Sequence, residues 1–164
     1  RLLRNGVNVD SRLGRKELTP LHFATLYGRT DTAELLLDNE ANVMEVDAHG
    51  NTALHMAAFF GHKAIAEFLL ARGARANEVN AMGHTPLDLV SDEWSPRLAA
   101  RYEQLSDDMK QRLDPERIRL ARLSLVKLLQ KHLQQEQGGV AETHRQQTPH
   151  LLTRFVYLRT EPQC

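Results

Sequence analysis

The 164-residue sequence predicts an all-α stack of helix-turn-helix units with turn-built fingers, and three observations carry that prediction. The phrase Thr19-Pro20-Leu21-His22-Phe23-Ala24 returns as Thr52-Ala53-Leu54-His55-Met56-Ala57 and, weakened, as Thr85-Pro86-Leu87-Asp88-Leu89-Val90. Each start lies 33 residues after the last, and a period of that size marks stacked-repeat architecture. A second apolar run follows the first two phrases at the same interval, Leu35-Leu36-Leu37 and Phe68-Leu69-Leu70. A stack offers a long surface before it offers a pocket, so the pattern speaks for binding ahead of catalysis.

Each element has a local cause. Thr19, Thr52 and Thr85 stand where a side-chain oxygen caps a helix start. Pro20 and Pro86 follow at the first helical position, where a missing N–H costs nothing. Gly28 and Gly61 end the first helix of each pair, and second helices follow over 31–38 and 64–71. Gly6 and Gly73 stop second helices, with Glu40 at the matching place in the middle unit. Polar stretches (42–51 and 75–84) form the fingers between units. Gly6 to Glu40 is one residue longer than Glu40 to Gly73, so the first finger carries an extra residue within Ser11–Glu17.

The third unit breaks the rhythm. Its second helix is expected only at Leu125–Leu129, an insertion of 27 residues if Leu129 matches Leu69. Ser95-Pro96 and Asp114-Pro115 each read as cap plus first helical residue. Trp94, Leu98, Tyr102, Leu105, Met109 and Leu113 then recur at steps of three and four, one face of an amphipathic helix. A second stripe runs through Ile118, Ala121, Leu125, Leu128 and Leu129, giving an inserted helical hairpin over the end of the stack. Gly138-Gly139 is expected to break the last helix, and Leu151–Leu158 is apolar and β-leaning without a partner strand.

Lys plus Arg and Asp plus Glu are both 21, so no net charge draws the chain to nucleic acid or membrane. Cys164 is the lone cysteine, which suits a reducing, cytoplasmic setting. No apolar run is long enough for a membrane span. Arg1 rather than Met opens the chain, and residues 2–9 already resemble the end of a repeat, which points to a piece of a longer protein. No Gly-x-Ser-x-Gly turn, phosphate-cradling Gly-x-x-x-x-Gly-Lys string or metal-ligand spacing is present, so no enzyme activity, catalytic residue, cofactor or metal is expected.

These phrases resemble the ankyrin-repeat family, most strongly over 19–80. The resemblance implies an ankyrin-repeat stack over 1–133, with units at about 1–13 (partial), 14–46, 47–79 and 80–133, the last carrying the insertion at about 91–117; 134–164 forms a tail. It implies that His22 and His55 tie neighbouring fingers together by hydrogen bonds, with Asp88 in their place in the third unit. It places Leu26, Tyr27, Phe59 and Phe60 on the concave side, where members of the family touch partners. It also makes the finger residue Asn77 similar in setting to asparagines that are hydroxylated in some members.

Partner contact is therefore expected at Leu26, Tyr27, Phe59 and Phe60 and at the finger tips His49, Asn51, Met82 and His84. Thr19, His22, Thr52, His55, Thr85 and Asp88 serve the repeat itself. The competing reading buries the four first-helix residues under Trp94, Leu98 or Tyr102 of the insertion. Two functions stay open: a scaffold or adaptor module, monomeric or within a larger chain, that binds a protein and neither nucleic acid nor membrane; or an intramolecular regulatory or structural segment whose concave face is filled by its own insertion or tail.

Overall fold

The computed structural model describes residues 8–91, 93–109 and 112–146, with side chains to Glu136. Expectations placed on 1–7 and 147–164, including the Leu151–Leu158 run, lie outside those residues. Seven helices and no strand are found among the described residues: α1 (Pro20–Leu26), α2 (Thr30–Asp38), α3 (Ala53–Phe59), α4 (Lys63–Ala71), α5 (Pro86–Ser91), α6 (Pro96–Asp108) and α7 (Pro115–Gln146). The pairs α1/α2, α3/α4 and α5/α7 pack within themselves, while α1, α3 and α5 stack side by side and α7 lies along α4.

The repeated phrase builds the same helix start twice. Thr19 and Thr52 each accept from the backbone N–H three residues on, and the histidine there accepts from the threonine's own N–H, a reciprocal capping box. Gly28 and Gly61 take positive φ (64° and 74°), which turns the chain into the second helix of each pair. Glu40 adopts φ 64° where Gly73 adopts 90°, so a residue with a Cβ holds a conformation that suits glycine. Apolar side chains of the stacked helices, among them Leu21, Leu54, Ile65, Leu69, Leu125 and Leu129, close one continuous core.

The extra residue of the first finger is visible. Leu13 and Leu18 exchange backbone hydrogen bonds across four intervening residues, whereas Asp47 N–H donates to Asn51 and Asn80 N–H to His84 across three. Gly14 and Glu17, both at positive φ (69° and 51°), absorb the longer tip. Adjacent fingers are laced together: Ala48 N–H donates to Lys16 O (3.0 Å) and Ala81 N–H to His49 O (2.9 Å).

In the third unit the insertion and the repeat are joined in one helix. The early turns of α7 carry Ile118 and Ala121 against the Gly61 turn, where a Cβ on Gly61 would lie 3.1 Å from Ala121. Its middle turns carry Leu125 and Leu129 into the main core. The expected break at Gly138-Gly139 is corrected: α7 runs on to Gln146. Glycine weakens a helix by about 1 kcal/mol relative to alanine, yet unlike proline it keeps the N–H that continues the ladder.

Candidate functional site

The side of the stack between fingers and first helices is shaped by buried hydrogen bonds. Thr19 N–H donates to Nδ1 of His22 (3.2 Å), which leaves Nε2 as the proton-bearing nitrogen that donates to the carbonyl of Asn51 (3.1 Å) in the next finger. His55 repeats this, with Nδ1 facing Thr52 N–H (3.2 Å) and Nε2 donating to His84 O (3.0 Å). Burial lowers the pKa of both imidazoles, keeping the neutral tautomer these bonds require. Asp88 accepts from Thr85 N–H (2.7 Å) and Thr85 Oγ1 (2.6 Å), and the threonine hydroxyl, first, and its N–H hold this carboxyl below the usual range. Among the described residues no further finger follows, so a side chain that serves only the helix start suffices there.

A second layer fixes each finger tip. Asp47 Oδ1 accepts from His49 N–H and Asn51 N–H (both 2.8 Å), and Asn80 Oδ1 accepts from Met82 N–H and His84 N–H (both 3.0 Å). Asn80 Nδ2 then donates to Asn51 Oδ1 (2.9 Å), binding the second tip to the third. His49, Met82 and His84 stand exposed on this rigid edge, and Asn51 is half-buried.

Opposite the fingers lies α6. Its fully buried Tyr102 donates its hydroxyl to the Phe59 carbonyl (2.6 Å) and receives a longer bond from Arg122 Nη1 (3.4 Å). The Tyr102 ring sits 5.0 Å from Phe59 and stacks 5.7 Å from Trp94, and the Arg122 guanidinium lies over the Trp94 ring at 5.9 Å. Burial raises the Tyr102 pKa, so the hydroxyl keeps its proton for Phe59. Phe60 is 8% exposed, edge-on to Phe59, and Leu26 packs against the same cluster. Two of the anticipated contact residues, Phe59 and Phe60, thus rest on this chain's own insertion, while Tyr27 keeps 39% of its surface.

What remains open is a groove of about 510 Å³ between the finger edge and α6. Met56 and Phe59 from α3 and Asp88 and Leu89 from α5 form its floor. Lys16, Asn51, Asn80, Met82 and His84 line the finger side, and Leu98, Arg101 and Leu105 line the other. The groove brings together Phe59, Phe60, Asn51, Met82 and His84; Leu26, Tyr27 and His49 are outside its lining. Arg101 and Arg122 went unnoticed in the sequence because they lie beside the apolar stripes, where charged residues ordinarily face water. No group of three His, Cys, Asp or Glu placed to hold a metal occurs among the described residues.

Residues 1–80 match a family model described as ankyrin repeats, in three copies. Residues 1–80 are therefore ankyrin repeats, stacked-helix units that generally act in protein–protein interaction. No curated relative matches the chain.

Proposed function

We propose that this chain is a scaffold or adaptor module that binds a protein partner along the finger edge and the groove beside it, without catalysing a reaction. The unit containing the groove's third finger and α6 spans about 80–133, with its insertion at about 91–117. One observation carries the reading: Met82, 69% exposed on a finger tip held by three hydrogen bonds, overhangs an apolar floor. A rigid rim, a large apolar side chain and an adjoining cleft are what a binding surface needs. No helix among the described residues is long and apolar enough to cross a membrane.

Site-specific photo-crosslinking tests it. A benzophenone side chain at position 82 should give discrete protein adducts in extract, and one at the exposed Leu35 of α2 should not. Adducts at 35 alone, or at neither position, would overturn the reading. The Tyr102–Phe59 bond supports a second reading, in which the insertion serves its own chain by filling this side. Deleting 93–117 separates the two: a newly adhesive surface favours self-occlusion, and loss of the adducts at 82 favours a wall that helps hold a partner.

A further inference from the structure

The groove carries an uncompensated positive charge above a largely apolar floor. Lys16 reaches it from the first finger and Arg101 from α6, and among the described residues neither makes an ion pair. The Arg101 guanidinium is held 5.5 Å above the Phe59 ring, which fixes its position over the floor. The one carboxylate lining the groove, Asp88, is already engaged by both donors of Thr85. The whole chain is neutral, so this excess is local to the groove.

Resting on the protein-binding reading above, we propose that the groove takes a peptide segment in which a bulky apolar side chain lies close to an Asp or Glu. The apolar side chain enters between Met56, Leu98 and Leu105, and the carboxylate meets Arg101 and Lys16 from the two walls. A guanidinium anchored on a ring offers its N–H edge to a carboxylate at little further loss of freedom. The lining favours peptide over nucleic acid: Phe60 is nearly buried and Phe59 is already covered by Arg101, leaving no open phenyl face on which a base stacks.

A phage-displayed library of random dodecapeptides, selected on the full chain, tests the proposal. The selected pool should be enriched in Asp or Glu beside Leu, Ile, Met or Phe. A labelled peptide from that pool should bind at least about tenfold more weakly to the Lys16→Glu/Arg101→Glu double variant, and with near wild-type affinity to Lys16→Arg/Arg101→Lys. Trp94 fluorescence and circular dichroism of each variant check that α6 stays docked. Peptides that bind through Met82 without acidic enrichment overturn this inference and leave the binding reading standing. A failure to enrich any peptide overturns both. A consensus resembling residues 151–158 points to self-docking and overturns it, as does displacement of the peptide by a single-stranded oligonucleotide.

Discussion

Tyr102→Phe removes a single oxygen and should loosen α6 while leaving the repeats in place. The hydroxyl donates to the Phe59 carbonyl at 2.6 Å and is itself contacted by Arg122, with the Tyr102 side chain fully buried. Depriving a buried acceptor of its donor costs about 1–3 kcal/mol, which raises the equilibrium for local opening about 5- to 150-fold. Tyr102→Ala goes further, since deleting a buried aromatic side chain costs about 3–5 kcal/mol. Helix α6 is held from one side, by the α3 end and α7, so that loss should exceed its docking energy and release it as a unit. Trp94 is the sole tryptophan and stacks on Tyr102, so its emission reports docking directly. In Tyr102→Ala the emission should shift to the red in buffer, and amides in 96–108 should exchange rapidly while those in 53–71 stay protected. In Tyr102→Phe the Trp94 transition in urea should precede the loss of helicity. Coincident transitions, or exchange that rises equally in α3, α4 and α6, would refute the view of α6 as a separately docked wall.

Glu40→Gly should raise stability by up to about 1 kcal/mol, because Glu40 is exposed and sits at positive φ, and Gly73→Ala should lower it by a similar amount; urea midpoints measure both. His55→Ala should cost about 2–4 kcal/mol, since it breaks the capping box and strips the His84 carbonyl of its donor. The matching Asp88→Ala should cost only about 1 kcal/mol, as it loses a cap on an exposed side chain; equal losses in denaturation would contradict the division of roles. Acid should destabilise the stack. Burial lowers the folded-state pKa of His22, His55 and His62 below the ordinary 6.5, so the unfolded chain binds more protons in the interval between. Their contribution is whole above about pH 6.5 and is lost as pH falls through the folded values. His62 adds to this because its buried Nε2 has no hydrogen-bond partner among the described residues and Arg117 opposes its protonation. Unfolding free energies that stay flat from about pH 8 to about pH 5 would count against it.

The units were legible because each is written in local chemistry. Thr52 and His55 specify a helix start, and Gly61 specifies the turn that follows. The extra finger residue is countable from the spacing of Gly6, Glu40 and Gly73 alone. The amphipathic stripe of α6 was equally plain, but a stripe states that a face is buried and not against what. The choice between a free and a covered Phe59 rests on Tyr102 reaching a carbonyl 43 residues away, which no local pattern encodes. The roles of Arg101 and Arg122 were hidden for the same reason, since each acquires meaning only from a ring brought up by another element. The Gly138-Gly139 expectation erred by weighing glycine as though it were proline.

The continuity of α7 couples two fits that would otherwise be independent. Ile118 must face the Gly61 turn while Leu125 and Leu129 face the main core, all on one rod. One residue added or removed between Ile118 and Leu125 would rotate everything beyond it by about 100°, sending either set of side chains into water. Variation in this helix is thus confined by phase: between Ile118 and Leu125 it can lengthen only by close to whole turns.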